Sequence, residues 1–290
     1  MNKNILCVIL HYGSTNNTLN CLRSLINIQS IDIVVVDNDP KQELKLADDI
    51  FQSVNLLRTG GSLGFASANN FAVKECRRSH HDFILLLNND TIVEESAIDK
   101  LLSTFTDASV GAAGPCMPFA DDPARIWACG GYINKLRVKV GGHKFTASDC
   151  ITDVDYLPGT AILCKSEAWD LVGGLSEKYF LAYEEAEFAL RLKKLGLRTV
   201  VNPRATILHQ VGMSSDQQPM YIYNSVRNRI RFAQYLYGQF GGFIIGVGNT
   251  LLSSRTPKKL QLWVIAVKHE LSNKPLNRDM LLKIKNDYIA

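Results

Sequence analysis

Phe83-Ile84-Leu85-Leu86-Leu87-Asn88-Asn89-Asp90 is an apolar run that stops abruptly in three polar side chains. A continuous run of that length suits a strand buried on both faces, as in a parallel sheet, whereas a strand with one wet face alternates. Two earlier stretches repeat the pattern: Ile5 to Leu10 runs into His11-Tyr12-Gly13-Ser14, and Ile33 to Val36 runs into Asp37-Asn38-Asp39-Pro40. Helix-compatible stripes separate or follow them: Leu19, Leu22, Leu25 and Ile26; Phe71 and Val73 after Ala66; and Ile98, Leu101, Leu102 and Phe105. This alternation predicts an α/β fold with a doubly wound, mostly parallel central sheet flanked by helices. Ligands of such sheets bind outside the carboxyl ends of the strands, and those ends carry Tyr12, Asp37 and Asp90.

Farther along, the pattern weakens. Between Gly111 and Asp155 the pairs Gly130-Gly131 and Gly141-Gly142, with alternating Leu136, Val138 and Val140, predict a hairpin or meandering edge. Tyr156 to Cys164 reads as a strand interrupted by Pro158-Gly159-Thr160. A helix from Glu184 to Leu195 is ended by Gly196, and Thr199-Val200-Val201 is a return strand closed by Asn202-Pro203. After about Gln217 the composition shifts to helices rich in Arg, Tyr and Leu. The expected division is therefore residues 1–216 as one α/β domain and 217–290 as a helical C-terminal extension.

The 290 residues are enough for a substantial core, and 21% charged with 46% hydrophobic residues is ordinary globular composition. A net charge of +4 without a clustered basic footprint argues against a nucleic-acid partner. The seven cysteines are scattered, odd in number and never spaced C-x-x-C, so reduced thiols in a cytoplasmic compartment are expected rather than a disulfide framework or a zinc site. The short apolar run at Ile5 predicts no signal peptide. No apolar stretch reaches the ~20 residues of a spanning helix, and the longest, residues 240–252, is interrupted by Gly241, Gly242, Gly246 and Gly248.

Three constellations carry chemistry. The first is Tyr183-Glu184-Glu185-Ala186-Glu187-Phe188, where three carboxylates crowd one helix start. At about 100° per residue Glu185 shares a stripe with Phe188, Leu192 and Leu195 and is expected to point inward, while Glu184, Glu187 and Arg191 share another face. A solvated first turn with a Glu187–Arg191 pair is the plainer alternative. The second is Asn88-Asn89-Asp90, whose oxygens could meet a hard cation and a diphosphate, or could simply cap a strand. With His209, Asp90 could hold a divalent ion and leave Glu185 free as a base. The third is Gly60-Gly61-Ser62-Leu63-Gly64-Phe65-Ala66-Ser67-Ala68-Asn69-Asn70, a glycine-rich backbone leading into a helix, suited to phosphate. It does not match G-x-G-x-x-G and does not follow the first strand, and no P-loop pattern exists, which counts against a dinucleotide oxidoreductase or an NTPase.

Taken in order, these motifs resemble family 2 glycosyltransferases of the GT-A fold, in the bacterial branch that resembles rhamnosyltransferases of O-antigen and other cell-surface polysaccharides. The resemblance runs over roughly residues 4–230. Its carriers are Val8-Ile9-Leu10-His11-Tyr12, Val35-Val36-Asp37-Asn38, Leu63-Gly64-Phe65-Ala66 with Asn69-Asn70, Leu86-Leu87-Asn88-Asn89-Asp90, Leu157-Pro158-Gly159-Thr160, Gly173-Gly174-Leu175 with Phe180, Glu184-Glu185, and His209 with Gly212 and Ser214.

The resemblance implies an inverting, metal-dependent transfer of a sugar such as rhamnose from a nucleoside-diphosphate sugar to a glycan or lipid-linked glycan acceptor. It implies Tyr12 and Asp37 at base and ribose, Gly64, Asn69 and Asn89 around the donor, Asp90 and His209 on Mg2+ or Mn2+, and Glu185 as general base. Glu184 and Arg227 are expected at the acceptor or its phosphate. Asn88 stands where the family's D-x-D motif begins with an acid, Ser62 where an Asn is frequent, and Glu-Glu-Ala-Glu replaces Glu-Asp-x-Asp. Residues 258–268, with basic flanks around Trp263 and aliphatics, are expected either to rest on the inner face of the cell membrane or to pack as a C-terminal helix. The rival readings are a non-catalytic nucleotide-sugar or glycan-binding module of the same fold, and a sugar nucleotidyltransferase. The latter would carry a basic glycine-rich loop after the first strand, where His11-Tyr12-Gly13-Ser14 is not basic.

Overall fold

The computed structural model describes residues 4–40, 44–46, 53–61, 63–141, 150–210, 218–253 and 257–272, without the side chains of 218–222, 253 and 257–259. Ser62, Gly142, Gly212, Ser214 and the expected boundary at 216/217 lie outside the described residues.

In chain order the elements are β1 (Ile5–His11), α1 (Thr15–Leu25), β2 (Ile31–Asp37), β3 (Val54–Arg58), α2 (Phe65–Cys76), β4 (Phe83–Asn88), β5 (Thr91–Val93) and α3 (Ala97–Ser103). There follow β6 (Val110–Pro118), β7 (Ile126–Ala128), β8 (Tyr132–Asn134), β9 (Lys139–Gly141), β10 (Thr152–Asp153) and β11 (Ala161–Lys165). The chain continues with α4 (Ser166–Val172), α5 (Glu184–Lys194), β12 (Arg198–His209), α6 (Gln218–Tyr237), α7 (Gln239–Ser253) and α8 (Pro257–Leu271).

The main sheet runs β10-β12-β6-β11-β4-β1-β2-β3. β3, β2, β1 and β4 are parallel neighbours, β12 is parallel to β6, and β11 runs against both β4 and β6. The expected buried runs are strands, and each feeds both faces. Ile5, Cys7 and Ile9 join one core with Leu22 and Leu101, whereas Leu6 and Val8 join the other with Ala66, Ala72 and Phe188. β1 is flanked by β2 on one side and β4 on the other, so the chain departs from β1 and β4 in opposite directions and their carboxyl ends form the switch point of the sheet.

Several local expectations are corrected. The interruption expected at Pro158-Gly159-Thr160 is found, but before it Tyr156 makes only an isolated bridge to Gly131, and the strand proper, β11, begins after the turn. β12 does not stop at Asn202-Pro203 but runs on to His209, twelve residues in all. A register shift between Asn202 and Thr206 spares Pro203 a ladder bond, and the Asn202 amide bonds the Lys100 carbonyl at 2.7 Å instead. Residues 240–252 form one helix despite their glycines. α8 packs Leu262 and Ala266 against Tyr223 and Val226 of α6, so its inner face is core. Cys116 and Cys129 are joined as a disulfide, contrary to the expectation of reduced thiols throughout. The antiparallel pairing of β6 with β7, Met117 opposite Ala128, brings them together, and a separation of 13 residues announces nothing of that.

Candidate active site

Asp90 follows β4, and the chain turns at once into β5, whose Thr91 pairs with His209 at the end of β12. That short antiparallel ladder sets His209 Nε2 3.3 Å from Asp90 Oδ1, and the Gln210 N–H donates to the Asp90 carbonyl at 2.7 Å. Asp90 Oδ1 and His209 Nδ1 are sealed from solvent yet lack hydrogen-bond partners, the 3.3 Å approach being poorly aligned. Two ligand atoms on neighbouring vertices of an octahedral ion with bonds of about 2.1 Å lie about 3.0 Å apart, so the pair fits one edge of a Mg2+ or Mn2+ site. Trp127 packs edge-on against the imidazole at 4.2 Å and fixes its plane. A second histidine and carboxylate group, Asp32, His80 and His81, lies at the opposite ends of the strands. There His81 Nδ1 accepts the Arg78 N–H at 2.9 Å, so Nε2 carries the proton toward Asp32 at 2.8 Å and has no lone pair to offer an ion.

α5 starts from two consecutive non-glycine residues in the left-handed region, Ala182 (φ 70°) and Tyr183 (φ 79°). Such conformations cost on the order of 1–3 kcal/mol each and persist only where the surroundings impose them. Here the Glu184 carboxylate accepts the Ala182 N–H at 3.1 Å, and the Asn228 amide of α6 donates to the carbonyls of Leu181 and Ala182. Tyr183 itself stacks into a cluster with Tyr179 and Phe232.

Both faces of α5 are buried: Phe188 and Leu192 on the Glu185 stripe are core residues, and the other stripe is covered as well, so the solvated first turn does not form. Glu184 and Glu187 are 2% and 5% exposed, and Leu195, expected beneath Glu185, is half exposed. Glu187 accepts from the Tyr179 hydroxyl and meets Lys178 Nζ, both at 2.6 Å, with Arg191 at 3.9 Å. Lys178 and Tyr179 reach it from outside the helix, which is why periodicity within α5 missed it.

Glu185 is partly covered as a residue, yet its Oε2 is sealed from solvent and without a partner. Burial raises its carboxyl from 4.5 to about 7, against the pull of its own N–H and that of Gly159. Glu184 is pushed well above the ordinary range by burial and by the neighbouring Glu185 charge. The Gly159 contact places Glu185 at the same end of the sheet as Asp90. The next residue of that loop, Thr160, accepts the Asn88 N–H at 3.0 Å, two residues before Asp90.

On the donor side, Tyr12 is 43% exposed beyond β1. Asp37, at the end of β2, accepts the Leu44 N–H at 2.8 Å. Gly64 caps α2 against the loop before α5: a Cβ there would lie 2.7 Å from the Phe180 carbonyl oxygen, which already accepts the Phe65 N–H at 2.8 Å. Asn69 and Asn89 are both buried. The Asn69 amide donates to the Phe65 carbonyl at 2.9 Å and leaves Oδ1 unpartnered. Asn89 donates to Thr18 Oγ1 at 2.9 Å and, more loosely, to the carbonyls of Tyr12 and Ser14, so it holds the loop that carries Tyr12. Asn38, not singled out beforehand, latches the glycine-rich loop by accepting the Leu63 N–H at 2.8 Å and donating to the Leu63 carbonyl at 3.1 Å.

Arg227 is not where an acceptor phosphate could meet it. It is 1% exposed, and its Nε lies 3.1 Å from Glu270 of α8, which also binds Arg231. Its guanidinium is committed to that buried ion pair and to the Tyr223 hydroxyl.

Comparison with known proteins agrees with this geometry. Residues 3–234 match the family described as "Glycosyltransferase like family 2". The chain is 28% identical over 221 residues to the dTDP-rhamnosyl transferase RfbF of Shigella flexneri, covering 74% of this chain and 72% of that protein. It is 23% identical over 223 residues to an N-acetylglucosaminyl-diphospho-decaprenol L-rhamnosyltransferase of Mycobacterium tuberculosis, covering 68% and 72%. In fold it is similar to a mannosyltransferase of Pyrobaculum calidifontis solved with GDP-Man and Mn2+, with a TM-score of 0.56, 12% identity, and 98% and 79% of the two chains covered.

Proposed function

The chain belongs to glycosyltransferase-like family 2, in its rhamnosyltransferase-like branch and with the GT-A fold, and from that premise we propose an inverting transfer in which Glu185 is the base. The donor is a nucleoside-diphosphate sugar with rhamnose as the sugar, by analogy with the relatives' names, and the acceptor is a hydroxyl of a cell-surface glycan of the O-antigen or capsule type, carried on a lipid. The setting is the cytoplasmic face of the membrane, reached by peripheral contact. Among the described residues no helix is long and apolar enough to cross a membrane.

The observation that carries the reading is Glu185, whose carboxyl burial pushes up to about 7 and whose Gly159 contact sets it at the end of the sheet where Asp90 and His209 meet. A base needs a pKa near the working pH, and a well-placed one contributes about 10²- to 10⁴-fold in rate. Glu185 takes the proton of the attacking hydroxyl. Burial and the Glu185 charge both disfavour ionisation of Glu184, which favours Glu185 as the one of the pair to ionise. Asp90 and His209 would hold Mg2+ or Mn2+, which when bound supplies Lewis-acid neutralisation of the charge on the departing diphosphate. Tyr12 and Asp37 flank the nucleoside, and the loop latched by Asn38 together with Gly64 shapes the phosphate side.

The test is a transfer assay with nucleoside-diphosphate sugars and a lipid-linked acceptor, run beside donor binding followed by thermal shift. Glu185→Gln is expected to keep the donor-induced stabilisation and lose product formation. Equal turnover by that variant removes Glu185 from the role. Donor binding by the wild type without product across the acceptor panel would favour the non-catalytic module instead.

A further inference from the structure

α7 spans Gln239–Ser253 without one ionisable side chain. One side of it is committed to the protein. A Cβ on Gly242 would lie 2.4 Å from the Ala233 carbonyl oxygen, and one on Gly246 2.7 Å from the Ile230 Cα, so these glycines let α7 lie directly on the α6 backbone. The other side carries Phe240 (82% exposed), Ile244, Ile245, Leu251 and Leu252 (80%). At about 100° per residue these five fall within one sector of about 140°, and the two close-packed glycines fall outside it. Fifteen residues are too few to cross a bilayer, for which about 20 are needed.

A basic element flanks this face. The Tyr237 hydroxyl donates to the Lys135 carbonyl at 2.9 Å and the Asn249 amide to the Leu136 carbonyl at 3.4 Å, which fastens the tip of the β8–β9 hairpin beside α7. That tip exposes Lys135, Arg137 and Lys139 around Leu136, itself 84% exposed. An apolar helix face beside a cluster of cations matches the interior and the headgroups of an anionic bilayer surface. A second copy of the chain would meet the same face with another α7, which holds no acid to pair with those cations.

We propose that the α7 face and the hairpin tip form one surface that seats the protein on an anionic membrane, α7 lying in the plane of the interface. This deepens the membrane-facing part of the reading above and moves the contact from the expected residues 258–268 to α7 and the β8–β9 turn. It also explains why an apolar helix is anchored through glycines with its bulky side chains turned outward.

The experiment is co-sedimentation of the full chain with phosphatidylcholine vesicles, with and without phosphatidylglycerol, with no sugar nucleotide or acceptor present. A failed transfer assay therefore leaves this result intact, and the reverse also holds. The wild type is expected to pellet with the anionic vesicles and far less with the neutral ones, weakening as salt is raised. F240S combined with I244S, and separately K135E combined with R137E, are each expected to lower partitioning by about tenfold or more. All four residues are exposed, so the variants should fold. As an independent readout, L252W should show a blue-shifted emission on anionic vesicles and quenching by doxyl lipids. No binding by the wild type, binding that neither pair weakens, or an unshifted L252W overturns the proposal. So does a wild-type dimer in light scattering that F240S/I244S converts to a monomer.

Discussion

The side-chain amide of Asn228 holds the carbonyl of Ala182 at 2.8 Å, so a helix of the C-terminal extension fixes the left-handed turn from which the Glu184-Glu185 helix departs. The residue is 2% exposed, and its other amide hydrogen takes the Leu181 carbonyl at 2.7 Å. Asn228→Ala leaves two carbonyls unpartnered and is expected to cost about 1–3 kcal/mol. Calorimetry should show the lower Tm. Under the proposed mechanism kcat should fall more than KM rises, because the displaced group is the base and not the donor pocket.

The titration of Glu185 gives a signed pH dependence. Turnover is expected to rise as pH climbs toward about 7 and to level off above it, and Glu185→Gln should remove that limb. Stability runs the other way. Between 4.5 and about 7 the folded chain keeps this proton while the unfolded chain releases it, so unfolding becomes easier as pH rises through that window. Urea titrations of wild type and Glu185→Gln at about pH 4 and about pH 8, on either side of that window, should show the variant gaining relative stability only at the upper pH.

Asp90 and His209 should account for metal-dependent donor binding. With Mn2+ and a nucleoside diphosphate at about 100 times the dissociation constant, wild type should gain about 2.7 kcal/mol of apparent stability. Asp90→Asn and His209→Ala should each lose most of the Mn2+-dependent part. A shift unchanged in both variants would move the ion elsewhere.

Gly64→Ala forces a methyl to within 2.7 Å of a backbone oxygen, which no side-chain rotation relieves. The expected cost is about 1–3 kcal/mol, with a raised KM for the donor, since the Phe180 segment and the start of α2 must separate.

Seven cysteines with Cys116 and Cys129 joined leave five thiols. Thiol titration of the denatured, unreduced chain should count five, and seven after reduction. In the folded chain the exposed Cys150 should react first, while Cys7, Cys21 and Cys164 resist, since burial raises their thiols.

The parallel half of the sheet was legible because β1, β2 and β4 are buried on both faces and say so in unbroken apolar runs. β3 was not, because an edge strand with mixed exposure carries no such run. β6 reads Val-Gly-Ala-Ala-Gly-Pro-Cys-Met-Pro, small residues chosen by close packing and not by strand propensity, so pattern reading passed over it. At the site, Asp90 and His209 were brought together as expected. Arg227 was misjudged because an arginine's partner, here Glu270 some 40 residues on, is invisible to spacing. Asn228 was missed for the opposite reason: its partners are backbone carbonyls, which have no sequence signature.

The one reversed strand among the inner strands, β11, has a consequence for how such a molecule can diversify. Running against β4 and β6, it presents its leading turn, Pro158-Gly159-Thr160, at the edge of the sheet where its neighbours present their trailing ends. The chain between β6 and β11 therefore leaves from and returns to that same edge. Insertions or exchanges there can reshape that edge while the ladders among β4, β1 and β2 stay in register, so variation is separated from the inherited scaffold.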